Sequence, residues 1–397
     1  MQLSRRVMSI QPSPTLALNA KADAMRAQGV DIINFGAGQP DFPTPANICQ
    51  AAIKAINDGF TRYTPVPGTP ELKQAVINKF KRDNGLEYSM DQVMVNVGGK
   101  HSSYLIMQAL LDDGDEVIVP APYWVSYPPM VILAGGKPII VPTREQDGFK
   151  LQMADLEKAV SSKTRAIFIN SPSNPTGGVY SEAELRPLAE FCAAKGILIV
   201  SDEMYEPILF DGRSFTATAA LSPAVYEHTI TLNGVSKAYA MTGWRIGYMG
   251  GPAELVKACS KIQSQSTSNP TSIAQKAAEE ALNGPQEIVG EMNQSFERRR
   301  NLIMDLIAGL PGVTCFRPEG SFYAFPSFHA YYGKKFGGKE IKGSQDLADY
   351  LLDQAAVAAV PGIAFGEDAC IRFSFAISDE QIEKGMASVK AALAKLS

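Results

Sequence analysis

Polar residues suited to chemistry collect in a few short stretches: Gly98-Gly99-Lys100, Pro122-Tyr123-Trp124, Asn174-Pro175-Thr176-Gly177, Asp202-Glu203-Met204-Tyr205 and Ser236-Lys237, with Arg245 eight positions further on. Each lies just past a short apolar run of strand length, and in open α/β sheets ligands bind beyond the carboxyl ends of the strands. Together they supply a phosphate cradle, an aromatic plate, neutral hydrogen-bonding groups, a carboxylate, a primary amine and a guanidinium. Pyridoxal phosphate requires that inventory. Its aldehyde needs a lysine for a Schiff base, and its pyridine nitrogen needs a carboxylate that keeps it protonated as an electron sink. Its phosphate needs backbone N–H groups at a helix start plus a fixed cation, and its ring needs an aromatic face.

A further arginine stands apart. In CIRFSFA (370–376), strand alternation puts Cys370, Arg372 and Ser374 on one face and Ile371, Phe373 and Phe375 on the other. An arginine opposite an apolar face can point into a cleft and grip a carboxylate bidentately. Each residue also has a plainer reading. Lys237 reads as a solvated surface lysine, Asp202 as a turn cap, Asn174 as a turn initiator and Trp124 as core. Tyr63 reads as a loop cap, Arg372 as an edge-strand surface residue and His101 as a satisfied polar group. GAGQPD (36–41) falls short of the dinucleotide fingerprint GxGxxG, because Asp41 replaces the third glycine and Pro40 resists a helix. The conjunction carries the case.

The elements that must position these groups follow a rhythm. A helix over 16–29 leads to the short stretch DIINF, and the Gly/Pro-rich segment 36–45 opens a helix at about 46–58. Apolar runs at 93–97, 116–120, 166–170, 197–203, 229–234 and 245–251 then alternate with helical segments. Runs buried on both faces indicate a mainly parallel sheet covered by helices, a three-layer α/β architecture. Beyond 253 the pattern turns helical, and 286–310 is long enough to bridge two bodies. Strand-like segments at 313–316, 321–326, 357–360 and 370–376, with helices at 344–355 and 379–395, form a smaller α+β unit. The expected division is 1–45 as N-terminal arm and part of the small domain, 46–290 as the large domain, and 291–397 as the small domain.

NPTGGVYS, SDEMYEPILF and above all NGVSKAYAMTGWRIGY resemble the class I pyridoxal-phosphate aminotransferases of fold type I, in particular the bacterial aspartate aminotransferase subgroup. The resemblance runs from about PSPTLALNAKA to RFSFAIS. It implies that Lys237 forms the Schiff base, that Asp202 pairs with the pyridinium nitrogen, and that Tyr205 and Asn174 hydrogen-bond the ring phenolate oxygen. Those bonds lower the Schiff-base pKa. It also implies that Trp124 stacks on the ring, that Gly98, Gly99 and Lys100 form the phosphate turn, and that Arg245 is the main charged phosphate partner. Tyr63 matches the tyrosine that reaches the phosphate of a neighbouring subunit, which implies a homodimer with shared sites. Arg372 would hold the substrate α-carboxylate, helped by the backbone at Gly38. Many relatives carry a phosphate-binding serine three residues before the lysine; that position is Gly234 here, and Ser236 is the candidate replacement.

The implied reaction is ping-pong transamination, with aspartate and 2-oxoglutarate as the first substrate choice. Pro12, Ser13 and Thr15 are expected near the substrate side chain. Aromatic amino acids, alanine, the glutamate–prephenate pair and a β-elimination lyase are the enzymatic alternatives. A ligand-binding regulator is the remote one: about 35 residues before GAGQPDF are too few for a winged helix-turn-helix.

Composition narrows the field from the other side. The 397 residues are 45% hydrophobic and 20% charged, with a formal charge of −4, which excludes wholesale disorder. No basic stripe extends beyond Arg298-Arg299-Arg300, so nucleic acid is not expected as a partner. Five scattered cysteines without CxxC spacing and three dispersed histidines give no metal or redox motif. Arg5-Arg6 lacks a following apolar segment, and no run approaches a membrane span, so a cytoplasmic protein is expected.

Overall fold

A computed structural model describes residues 1–12 and 14–397, without the side chains of 14–16 and 19. At its centre is a seven-stranded sheet. Its spatial order is Val93–Asn96, Gly247–Gly250, Thr229–Gly234, Leu198–Asp202, Thr164–Asn170, Glu116–Ala121 and Lys137–Pro142. The five strands from Thr229–Gly234 to Lys137–Pro142 pair in parallel, while Gly247–Gly250 runs antiparallel to both neighbours. The inner strands read as largely apolar runs because helices cover both faces, as expected for an α/β sheet.

The reversal of Gly247–Gly250 matters for the site. Gly234 at the end of one strand stands opposite Gly247 at the start of the next. The residues just before the reversed strand, Arg245 among them, therefore emerge at the edge where the parallel strands end. A Cβ at Gly234 would lie 3.1 Å from the Gly247 Cα, the Ile246 carbonyl oxygen and the Met204 Cε. That crowding explains why glycine rather than serine occupies the position.

The remaining elements build a second layer system. Val360–Pro361, Ile371–Ser374 and Tyr323–Ala324 form an antiparallel sheet, and Ile33–Asn34 pairs in parallel with Val357–Ala358. Helices Glu287–Ala308, Ser344–Ala355 and Asp379–Leu393 pack on these strands. Their core (Phe296, Phe322, Phe328, Phe373, Phe375) runs without a break into Met204, Tyr205, Ile208 and Phe210, just past a central-sheet strand. The long helix Glu287–Ala308 ties distant segments together: Arg299 grips Asp41 with bonds of 2.7 and 2.9 Å, and Arg300 grips Asp211 at 2.6 and 2.9 Å. The basic run is thus spent on carboxylates.

Some local expectations need correction. The strand expected at 313–316 shrinks to a single bridge from Thr314 to Ser327, and 321–326 to Tyr323–Ala324. The edge strand Lys137–Pro142 was not anticipated, because Pro138 and Pro142 interrupt its apolar run; an edge tolerates them. Helix Pro70–Asn84 was not singled out either, though it carries its own punctuation. The Thr69 hydroxyl accepts the Leu72 N–H at 3.3 Å, Pro70 opens the first turn and Gly85 closes the helix at φ 66°. Among the described residues no helix is long and apolar enough to cross a membrane.

Candidate active site

A cavity of about 720 Å³ opens at the carboxyl edge of the central sheet. Gly38, Gly99, Lys100, Trp124, Asn174, Asp202, Tyr205, Ser236, Lys237, Arg245 and Arg372 all line it. Two expected residues do not. Gly98 sits behind the turn, at φ 82°, where any Cβ would collide with the Arg245 guanidinium; the missing side chain makes room for the cation. Tyr63 is 93% exposed and away from the cavity. Pro12 is exposed, while Ser13 and the Thr15 side chain lie outside the described residues.

The floor is built from strand ends. Asp202 closes the strand Leu198–Asp202, and its carboxylate accepts the Tyr127 hydroxyl at 2.6 Å and the Met204 N–H at 3.2 Å. Burial pushes its pKa up, while the Tyr127 bond, the Met204 N–H and the charge of Lys237 oppose the rise. Lys237 follows the strand Thr229–Gly234 and donates to the Gly38 carbonyl. Burial, then the Arg372 and Arg245 charges, pull its amine down to about 7, against the pull of Asp202. The amine is therefore substantially neutral near pH 7, the state a nucleophile or base needs.

One end of the cavity gathers groups that could hold a phosphate. Helix Gly99–Leu110 begins at the glycine turn and presents its first N–H groups there. Arg245 reaches the same turn, donating one nitrogen to the Thr242 carbonyl at 2.8 Å, and no carboxylate pairs with it among the described residues. Lys100 lies 5.1 Å over the Trp124 ring; burial and Arg245 lower its pKa. Trp124 meets Tyr127 edge-on at 5.3 Å.

The opposite wall is the strand Ile371–Ser374. Arg372 is buried and donates to Asn174 Oδ1 and to the Gly36 carbonyl, both at 3.0 Å. Its Nε has no partner, and no carboxylate faces it among the described residues. A buried guanidinium without a counter-ion is costly and points to an anionic ligand. Asn174 spends its oxygen on Arg372, which leaves its NH₂ group to donate into the cavity. The Tyr205 hydroxyl lies 2.9 Å from that of Tyr323.

Three contributors were missed by the sequence reading: Tyr127, Tyr323 and Asn170, whose Oδ1 accepts the Asn174 N–H at 2.8 Å. Tyr127 lies one turn past Trp124, a spacing that offered a signal; Tyr323 offered none. His101, read as a satisfied polar residue, is only half so. Its Nδ1 faces the Val97 N–H at 3.4 Å, and its buried Nε2 has no partner.

These residues suit pyridoxal phosphate. The buried carboxylate, the amine of lowered pKa, the glycine turn with its free guanidinium and the unpaired buried arginine match its ring nitrogen, aldehyde, phosphate and substrate carboxylate in turn. A mainly parallel α/β sheet with such a cavity at its carboxyl edge belongs to the α/β proteins that bind ligands beyond their strand ends. Comparison with known proteins gives the family. Residues 30–389 match the model for "Aminotransferase class I and II". The chain is 49% identical to the aspartate aminotransferase of Geobacillus stearothermophilus, over 96% of both chains. It is 49% identical to the aspartate/prephenate aminotransferase of Cereibacter sphaeroides, over 100% of this chain and 99% of that one. The solved aspartate aminotransferase of Rhizobium meliloti superposes with a TM-score of 0.96 at 46% identity, covering 100% of each chain. That of Thermus thermophilus with maleate gives 0.92 at 41%, covering 99% of this chain and 100% of that one. The chain belongs to the class I and II aminotransferase family, whose members are pyridoxal-phosphate-dependent transferases.

Proposed function

We propose that this chain binds pyridoxal phosphate and moves an amino group between L-aspartate and 2-oxoglutarate. The carrying observation is Arg372, a buried cation with an unpartnered Nε and no carboxylate facing it among the described residues. When bound, the cofactor supplies an aldehyde that takes up the amino group and a protonated ring that accepts the electron pair left at Cα. Asp202 holds the proton on the ring nitrogen, and its bonds to Tyr127 and Met204 keep the carboxylate turned to the cavity. Asn174 and Tyr205 donate to the ring oxygen, and Trp124 covers the ring. Arg245, Ser236 and the N–H groups of the Gly98-Gly99-Lys100 turn hold the phosphate, with Ser236, buried in the cavity wall, serving where Gly234 cannot.

Lys237 is the base. Its amine, with a pKa near 7, would take the proton from the substrate Cα and deliver it, within the same half-reaction, to the carbon that carried the cofactor's aldehyde, and would run the same transfer backwards in the second half-reaction. Arg372 and the Gly38 backbone fix the α-carboxylate. A second carboxylate needs a second cation, and Lys100 lines the cavity without an ion-pair partner among the described residues. That supports a dicarboxylic substrate, as do relatives named for aspartate and one solved with maleate. Prephenate is the second reading, supported by relatives named aspartate/prephenate aminotransferase.

A half-reaction screen tests this. The cofactor-loaded protein is titrated with single amino acids while its visible absorption is followed. Aspartate and glutamate are expected to bleach the band, and Lys237→Ala to abolish both band and turnover. A band indifferent to every amino acid, or full activity in Lys237→Ala, refutes the assignment.

A further inference from the structure

The Tyr205 hydroxyl does not stand alone. It lies 2.9 Å from the Tyr323 hydroxyl, and both side chains are buried in the cavity wall. A phenol carries a single proton, so in such a pair one hydroxyl donates and the other accepts. Tyr323 has no other hydrogen-bond partner among the described residues. The Tyr205 hydroxyl likewise has no other, so each proton has only the opposite hydroxyl to bond within the protein, and in one of the two orientations Tyr323 points its proton at Tyr205. That orientation leaves the Tyr205 proton free to point into the cavity; the opposite one would spend it on Tyr323.

The surroundings hold the pair in place. The Tyr205 ring meets Tyr323 and Phe322 edge-on, at 5.8 and 5.4 Å. Tyr323 stands opposite Ser374 on the strand that also carries Arg372. The Arg372 guanidinium lies 4.4 Å over the Tyr323 ring, and a cation there makes the phenol the better donor. Lys237 lies farther off, 6.0 Å over the Tyr205 ring, so the nearer charge over Tyr323 selects the direction in which Tyr323 donates.

We propose that Tyr323 is a positioning residue: its hydroxyl donates to Tyr205 and so directs the Tyr205 proton onto the ring oxygen of bound pyridoxal phosphate. This rests on the cofactor assignment above. Loss of the Tyr323 hydroxyl frees Tyr205 to turn towards other acceptors and weakens its donation to the ring oxygen.

The test is a spectrophotometric pH titration of the visible band in the cofactor-loaded wild type, Tyr205→Phe, Tyr323→Phe and the double variant. Phenylalanine keeps the ring that Arg372 and Phe322 pack against. Stronger donation to the ring oxygen lowers the midpoint, so Tyr205→Phe raises it. Tyr323→Phe is expected to raise it by less, about half a pH unit. The double variant should match Tyr205→Phe alone, because Tyr323 acts through Tyr205. An unchanged midpoint in Tyr323→Phe, or a double-variant shift equal to the sum of the two, overturns the proposal. A wild type with no titrating band fails at the cofactor assignment itself. A wild type that titrates and responds to Tyr205→Phe but not to Tyr323→Phe fails only here.

Discussion

Lys237 behaves unlike a surface lysine because it is buried and, in addition, sits among cations. Burial and the facing Arg372 and Arg245 disfavour its proton and bring the amine to about 7. In cofactor-free protein, capture of the pyridoxal phosphate aldehyde is therefore expected to reach half its maximal rate near pH 7. A lysine at its ordinary 10.5 would still be accelerating above pH 9, and stopped-flow reconstitution across pH separates the two. The stability sign follows. The folded pKa lies below the unfolded one, so between about 7 and 10.5 the unfolded chain binds more protons, and this group's contribution improves as pH rises through that window. Arg372 gives the second prediction at this scale. Truncation to alanine removes charged hydrogen bonding to the substrate carboxylate, and the loss of one such bond, about 1.5–3 kcal/mol, already means that kcat/KM should fall by at least about 10- to 100-fold, chiefly through KM. An unchanged KM in steady-state assays would contradict its role.

At the scale of elements, the end of the strand Leu198–Asp202 carries two carboxyls with different tasks. Asp202 serves the cavity. Glu203, the next residue, is buried, accepts the Ser201 hydroxyl at 2.9 Å and the Thr218 N–H at 3.1 Å, and leaves Oε2 without a partner. Burial and the neighbouring Glu206 push its pKa up to about 8. A folded pKa above the unfolded 4.5 gives a contribution complete below 4.5 and lost as pH rises towards 8. Glu203→Gln should flatten that part of the stability–pH curve, read by thermal melts between pH 5 and 8; an unchanged slope would mean Glu203 is already ionised. Strands such as Glu116–Ala121 and Thr229–Gly234 were legible because burial on both faces writes an apolar run into the sequence. Lys137–Pro142 was not, since edge prolines disguise it, and VTCF at 313–316 misled because apolar composition alone does not supply a pairing partner. The site divides in the same way. Residues just past strand ends could be located from order alone, whereas Tyr127 and Tyr323 act through hydroxyls that meet partners 75 and 118 positions away.

For the whole molecule, we propose that two copies pair and that Tyr63, 93% exposed here, completes the phosphate site of the partner subunit. Mixing Tyr63→Ala with Lys237→Ala under subunit exchange should then restore activity, up to about a quarter of the wild-type sites by random pairing. Activity that never exceeds the sum of the separate variants would confine each site to one chain. We likewise propose the division into 46–290 and a smaller body made from 1–45 and 291–397. The pairing of Ile33–Asn34 with Val357–Ala358, and the bond from Arg372 to the Gly36 carbonyl across 336 positions, carry a consequence for biosynthesis. During translation, the segment around Gly36 leaves the ribosome long before its partners exist. Its apolar residues Ile33 and Phe35, buried at the end, must wait in solvent while the central sheet forms. Under the proposed function, the wall that would grip the amino acid is thus the last part of the cavity to be made, and an incomplete nascent chain has the strand-end residues of the central sheet without Arg372.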